Sequence, residues 1–280
     1  MTRLRTVGLA LLVACVGLIA APVRADGTQT PAASVERIWQ VIDMPATLDL
    51  LREEGLEMAQ GVADEYLPAR RGDGWRRSVE EIFDPAAMTR LMTEGFAADF
   101  QATDPAPVIA FFDSPLGHRI IALELSARRA FLDPDTEAAA RERVSSGQIP
   151  PERAALIDAF IAVNDLVSFN IQGALNTNFA FLSGLATSEL FEMTEAQILD
   201  RVYGNAEETR TDTEEWLRAY LTMAYQPLDD AELEAYVAFS ERPEGRRLNR
   251  ALFAGFGAMY DVQYHALGLA VARQLGAQDL

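Results

Sequence analysis

Apolar residues recur every three or four positions along most of the chain, the spacing that places them on one face of an α-helix. The pattern runs from Leu48 through Leu51 to Val62, and again from Leu252 through Tyr260. No stretch of alternating β-branched residues separated by hairpin turns is present. The sequence therefore predicts an all-α fold, organised as a helical bundle array.

Polar residues that precede proline mark where many of these helices begin. A side-chain oxygen at the N-cap accepts a hydrogen bond from a free backbone amide, and proline at the next position loses no useful donor. Two further positions have the spacing of a capping box. The predicted starts are Asp84-Pro85, Asp104-Pro105, Ser114-Pro115 and Asp133-Pro134, with capping boxes at Thr194/Gln197 and Asp229/Glu232.

One short phrase occurs twice, as FFDSPLGHR at 111–119 and FSERPEGRR at 239–247. In each, a helix is expected to end before the proline and another to begin at it. The glycine two residues after the proline would let the new helix pack closely on its neighbour. When Pro115 is aligned with Pro243, the matching pairs are Phe111 with Phe239, Gly117 with Gly245, and Arg119 with Arg247; Ser114 has no serine counterpart.

A weaker similarity continues upstream of the two phrases, between 79–83 and 199–203. It predicts a duplicated unit of about five helices, with a first repeat over 36–148 and a second over 149–280. The alternative is that one helix-break pattern is used twice without duplication.

The first phrase resembles a family of exported bacterial proteins, the domain of unknown function 2059. Its signature is an acidic helix ending in an aromatic pair, followed by Ser-Pro-x-Gly and another helix; here these residues are Phe111, Phe112, Ser114, Pro115 and Gly117. The second phrase departs from it, with Ser240 and Arg242 at two of these positions. The resemblance implies a helical periplasmic protein and brings no established activity or catalytic residues.

The N-terminal segment has the features of a secretory signal. Two arginines precede the uncharged run from Val7 to Ala21, and small residues at the cleavage positions predict removal of 1–25 after Ala25. The run is shorter than the ~20 residues of a membrane span. Residues 26–35 are expected to be a flexible N-terminus of a periplasmic chain. The alternative is a lipoprotein anchored at Cys15, although the following residues stay apolar.

The composition of the chain predicts a strongly acidic surface. The chain has 42 Asp and Glu against 24 Lys and Arg, for a net charge of −18, and Cys15 is its one cysteine. Such a charge repels phosphate backbones and anionic lipid headgroups, so no nucleic-acid partner is expected. No integral membrane segment is expected in the mature chain.

Few residues offer recognisable chemistry. The only histidines are His118 and His265, and a zinc site normally needs three or four ligands from His, Cys and carboxylate. No phosphate-binding loop, metalloprotease segment or serine nucleophile elbow is present. We therefore predict no metal, no cofactor and no catalytic residue. Asp261 and His265 lie four residues apart and are expected to form a polar pair.

An uncharged polar stripe is the most unusual feature. The segment 154–185 is mostly apolar and is expected to be one buried helix, on which Asn164, Ser168, Gln172 and Asn176 recur every four residues. The stripe either satisfies an interhelical network or lines a cleft that binds a small neutral ligand. The aromatic residues Phe253, Phe256, Tyr260 and Tyr264 would be the opposite wall of that cleft, or ordinary core.

Three functions remain open from the sequence. The first is a non-catalytic envelope protein that binds a partner protein, favoured by acidic helices and the lack of catalytic motifs. The second is the neutral-ligand binder. The third is an enzyme acting on cell-wall glycan, which requires two carboxyl groups at a catalytic separation across a cleft.

Overall fold

The computed structural model describes residues 31–67, 72–101, 103–189, 191–204 and 206–276. These residues are almost entirely helical, so the predicted all-α fold is confirmed. The helices within the described residues are α1 (Pro31–Val41), α2 (Met44–Tyr66), α3 (Asp73–Ile82), α4 (Pro85–Phe100), α5 (Ala106–Phe112), α6 (Pro115–Ala130), α7 (Pro134–Ser145), α8 (Pro151–Val163), α9 (Leu166–Leu185), α10 (Glu195–Tyr203), α11 (Ala206–Ala224), α12 (Asp230–Ser240) and α13 (Pro243–Gly276).

The predicted caps position the helix starts. Asp84, Ser114 and Asp133 each accept from a backbone amide in the first turn of α4, α6 and α7. Thr194 and Asp229 form the two expected capping boxes. Residues 31–35, expected to be part of a flexible N-terminus, form the first turn of α1. Ala25 and Cys15, with the whole predicted signal, lie outside the described residues.

The long helix α13 organises the core. It packs most extensively against α9 and α4 and also contacts α2, α3 and α5. Its buried residues join those of the N-terminal helices in one hydrophobic cluster. The last helix of the predicted second repeat therefore packs directly on helices of the first, and the two predicted repeats share one core.

Paired glycines allow α13 to approach its neighbours closely. A Cβ on Gly255 would lie 2.7 Å from the carbonyl oxygen of Met92 in α4, and a Cβ on Gly184 would lie 2.9 Å from the amide nitrogen of Leu269. Both distances are shorter than real Cβ contacts, so backbone packs on backbone at these two crossings.

The predicted continuous helix over 154–185 is wrong. The chain breaks at Asn164, the C-cap of α8, and Asp165 adopts the left-handed conformation with φ 49° before α9 begins. The axes of α8 and α9 differ by 54°. Short polar side chains tolerate this conformation, which explains how a break occurs without proline or glycine.

The predicted boundary between repeats falls between α7 and α8, where the described residues have no helix. Seven of the described helices precede the boundary and six follow it, rather than about five on each side. No single described helix is both long and apolar enough to span a membrane; only the bent pair of α8 and α9 meets that criterion, by length and composition alone.

Candidate functional site

The first phrase forms a tight junction between α5 and α6. Ser114 Oγ accepts a hydrogen bond from the amide of Gly117 at 3.0 Å and donates one to the carbonyl of Phe111 at 2.6 Å. Pro115 occupies the first helical position of α6. The serine thus fixes both the end of one helix and the start of the next.

Glycine is required at the equivalent position of both junctions. A Cβ on Gly117 would lie 2.5 Å from the Cα of Phe112, and one on Gly245 would lie 3.0 Å from the Cα of Ser240. In each case the carbonyl oxygen of the preceding aromatic residue, Phe111 or Phe239, would be closer still. The expected close packing after the proline is confirmed at both phrases.

The two phrases also pack on each other. The rings of Phe111 and Phe239 stack with centroids 4.1 Å apart and an interplanar angle of 10°. Phe112 and Phe239 meet edge to face at 5.4 Å. Residues more than a hundred positions apart in sequence therefore form one aromatic contact that joins the two phrases.

The aligned arginines make reciprocal contacts. Arg119 donates to Glu232 Oε1 at 2.5 Å and to the carbonyl of Pro227, next to the start of α12. Arg247 donates to the carbonyl of Gln101 at 3.5 Å, ahead of α5. Each arginine thus contacts residues upstream of the other phrase. The duplication itself stays a prediction.

A cavity of about 40 Å³ lies at this junction, partly open to solvent. We call it the junction cavity. Four aromatic residues, Phe112, Phe160, Tyr236 and Phe239, supply much of its wall. Its polar lining comes from Asn164, Ser240 and Asn249.

A buried acid–tyrosine network lies behind the junction cavity. Glu124, with no exposed surface, accepts a hydrogen bond from the Tyr225 hydroxyl at 2.6 Å, and its backbone carbonyl accepts one from Tyr220 at 2.8 Å. Tyr236 also hydrogen-bonds to Glu124. Burial, followed by the charge of Glu124, raises the pKa of Tyr236 well above its usual value, so these hydroxyls remain protonated donors.

A buried ion pair adjoins this network. Arg128 donates to both carboxylate oxygens of Glu54, at 2.6 and 2.7 Å. Burial lowers the pKa of Arg128, but the Glu54 carboxylate outweighs it and raises that pKa overall.

Sequence reasoning missed Glu124 and Arg128. Glu124 lies one helical turn after the buried Ile120 in α6, and Arg128 lies one turn after Glu124. Charged residues on an otherwise apolar helix face are rarely buried unless they are paired, and this pattern is the signal that could have found them.

The predicted amide stripe does not form one buried line. Ser168, Gln172 and Asn176 are exposed on α9, whereas Asn164 is 6% exposed and belongs to the break before it. The prediction of a stripe on a buried helix is therefore wrong. The bend at Asp165 separates Asn164 from the other three residues.

The buried amide of α9 is Asn170 instead. Its Nδ2 donates to the carbonyl of Leu166 at 2.7 Å, and its Oδ1 is buried without a partner in the described part of the chain. The expected cleft between the repeats, bordered by Asn164, Gln172 and Asn176, is not formed by these residues. Of the three, only Asn164 lines the junction cavity.

The aromatic residues of α13 belong to the core. Phe253, Phe256 and Tyr260 are buried, and Phe253 stacks on Phe169 of α9 with centroids 4.6 Å apart. Burial raises the pKa of Tyr264, the last of the four, above its usual range. These residues hold α13 against α9 and α2. Tyr260 and Tyr264 line a cavity of about 20 Å³ with residues of α2 and Phe83, not a cleft opposite the predicted amide stripe.

The histidines serve separate local contacts. His118 Nε2 lies 3.6 Å from the Asp113 carboxylate, and His265 Nδ1 lies 3.3 Å from the carbonyl of Ala180 rather than on Asp261. Burial raises the pKa of Asp261. Within the described ranges, no group of three or more His, Cys, Asp or Glu could hold a metal ion.

A family described as an uncharacterized protein conserved in bacteria, DUF2059, matches residues 86–145. The match covers less than half of the chain but includes the first phrase, Glu124 and Arg128, and it confirms the resemblance expected there. The second phrase at 239–247 lies outside it. No curated protein and no solved structure matches the chain.

Proposed function

We propose that this chain is an exported, non-catalytic envelope protein that binds a partner protein through the outer face of α9. The observation that carries this proposal is the absence of charge on α9, the whole of Leu166–Leu185, in a chain with a net charge of −18. The α9 face consists of exposed Ser168, Gln172 and Asn176 with half-buried Leu175 and Phe179. These positions share one side of the helix.

The neighbouring helices define what kind of partner fits. Acids outnumber arginines in both α10 and α11, which pack against α9. Exposed Glu195, Asp200, Glu207 and Glu208 therefore give these helices a negative surface. A partner with a neutral centre, able to hydrogen-bond amides, and a rim of lysine or arginine would complement this arrangement.

Export is supported by the pattern of residues 1–25. The intact mass of the chain recovered from a bacterial periplasm tests it. A chain beginning at Asp26 agrees with cleavage after Ala25. A lipid-modified chain beginning at Cys15 would replace soluble export with anchoring, and an uncut chain would contradict export.

The partner proposal is tested by site-specific photocrosslinking in intact cells. A photoreactive residue at position 172 is expected to give one adduct of defined mass, and a photoreactive residue at position 60 to give none. Gln60 is a matched control because it is an exposed glutamine within the helix α2. Equal crosslinking at the two positions would refute the proposal.

Introducing a charge on the α9 face tests whether the crosslink reports specific binding of the partner. Gln172→Glu places a charge on the α9 face without changing the size or shape of the side chain, and it should reduce the adduct formed from position 176. Gln60→Glu should leave that adduct unchanged. An adduct of twice the mass of the chain would show that a second copy, not a different protein, occupies the face, and would overturn the partner proposed here.

The glycan-enzyme alternative gains no comparable support. The open groove between α3 and α4 has acidic residues on its wall, namely Glu80, Glu81 and Asp84, together with Arg77. All four side chains are exposed, and Asp84 already caps α4 by accepting from the amide of Ala87 at 2.8 Å. Exposed carboxyl groups, one of which already serves as a helix cap, do not form a cleft that would position a general acid on a glycan.

A further inference from the structure

The junction cavity has hydrogen-bond acceptors that the fold leaves free. Asn164 Nδ2 donates to the carbonyl of Phe160 at 3.0 Å, and Asn249 Nδ2 donates to the carbonyl of Asn164 at 2.6 Å. Because carbonyls only accept, these bonds fix both amide nitrogens. Each Nδ2 keeps a second N–H, and neither carboxamide oxygen accepts a hydrogen bond from another described residue.

Ser240 adds a third polar group. It is 3% exposed and lines the same cavity, and its hydroxyl has no hydrogen-bond partner among the described residues. The lone pairs of the Ser240 oxygen are used by no described residue, so from the cavity wall this oxygen can accept a hydrogen bond from a bound donor. The three polar side chains of the lining thus offer three oxygen acceptors.

The walls and the charge behind them favour a cation. Phe112, Phe160 and Phe239 line the cavity, and aromatic rings attract ammonium groups. Tyr236, also in the wall, is hydrogen-bonded to the buried Glu124 carboxylate. Among the described residues, the lining includes no Lys or Arg. Negative charge therefore lies behind an aromatic wall that carries no basic side chain.

The volume sets the size of the ligand. A cavity of about 40 Å³ has room for about three water-sized groups, at roughly 10–15 Å³ each. That is the size of one nitrogen and two carbons. We propose that the junction cavity binds the primary ammonium end of a short alkyl amine, with its N–H groups on Asn164, Ser240 and Asn249 and its methylene groups against the aromatic wall. This site is separate from the α9 face.

The proposal is tested with ethylammonium as the probe and ethanol as its neutral isostere. Two-dimensional amide NMR of the full mature chain, at constant ionic strength, should show saturable shifts at residues around 164, 240 and 249. Ethylammonium should bind at least about tenfold more tightly than ethanol. Equal affinity for ethanol would overturn the preference for a cation, and shifts spread over the acidic surface without saturation would overturn the site.

A conservative variant tests the hydrogen-bonding lining. Ser240→Ala removes a hydroxyl that makes no bond to the described residues, so the variant should fold normally and bind ethylammonium about tenfold more weakly. Ser183→Ala, a matched change on α9, should bind as the parent does. Unchanged affinity in Ser240→Ala would refute the assigned lining.

Binding of a diamine shows whether the ammonium group belongs to a free short amine or to the end of a longer one. Tighter binding of 1,4-diaminobutane than of ethylammonium would identify a longer amine whose chain leaves through the open side of the cavity. Equal binding would identify a free short amine. Failure of both amines to bind would overturn the proposal.

Discussion

Replacing Gly117 by alanine tests whether the close approach of α5 and α6 holds the first phrase together. The added Cβ would lie 2.5 Å from the Cα of Phe112 and nearer still to the carbonyl oxygen of Phe111. Both neighbours are backbone atoms, so no side chain can rotate away. The first turn of α6 must instead move by about 1 Å to restore an ordinary contact distance.

Three contributions set the expected change in the free energy of unfolding of Gly117→Ala. Overpacking a rigid contact costs about 1–3 kcal/mol, and the backbone neighbours place this site at the upper end. Movement of the first turn also weakens the hydrogen bond from the Gly117 amide to Ser114, worth about 1 kcal/mol as an N-cap. Alanine gains about 1 kcal/mol of helix propensity over glycine. The free energy of unfolding should therefore fall by about 3 kcal/mol.

Urea denaturation followed by far-ultraviolet circular dichroism measures this change, and Gly257→Ala is the matched control. Gly257 lies in α13, and a Cβ added there would have no neighbour within 4 Å, so alanine should raise stability by about 0.5–1 kcal/mol. Gly245→Ala should also destabilise the fold, because an added Cβ there meets backbone atoms of the second junction. If Gly117→Ala were as stable as Gly257→Ala, the packing argument would be refuted.

Three further predictions follow from the core and the caps. Arg128→Met should destabilise the fold by about 3 kcal/mol in urea denaturation because it leaves the largely buried Glu54 carboxylate unpaired, and a loss below about 1 kcal/mol would contradict this. A double-mutant cycle of Phe111→Leu and Phe239→Leu should give a coupling energy of about 0.5–1.5 kcal/mol, whereas additive effects would exclude a direct interaction. The hydrogen bond from Thr136, followed by that from the Asp135 amide, lowers the pKa of Asp133 in the fold below its ordinary 3.8, so its stabilising contribution is present above that value and is lost as the pH falls through the folded pKa. Asp133→Asn keeps a capping side chain and should show a smaller drop in thermal midpoint between neutral and acidic pH than the parent; an equal drop would contradict the assignment.

The helix starts could be predicted because their causes are local. Ser114 and Asp133 each act on an amide in the turn that follows them, and the proline beside each fixes the backbone. The break at Asp165 could not be predicted in this way. The bend lets α8 pack mainly on α12 while α9 packs mainly on α13, and no short window of sequence encodes these long-range contacts.

Part of the candidate site was visible in sequence and part was not. The phrases that carry Gly117 and Gly245 can be aligned from their residues alone, but their stacking through Phe111 and Phe239 joins residues far apart in the chain. The junction cavity depends on the same long-range contact. Asn164 was predicted to lie on one helix with Gln172 and Asn176, whereas it ends α8. The residues that line the junction cavity with it are brought together only by the tertiary fold.

The sequence by itself determined the helical class, the positions of the caps, the acidic charge and the two phrases with their required glycines. Each of these except the overall charge depends on residues within a few positions of one another, where helix periodicity and capping act. Tertiary structure alone decided that α13 joins both halves in one core, that Glu124 is buried among tyrosines, and that Gln172 and Asn176 of α9 face solvent. Those outcomes depend on which helix faces meet, and burial is a property of the whole packed chain.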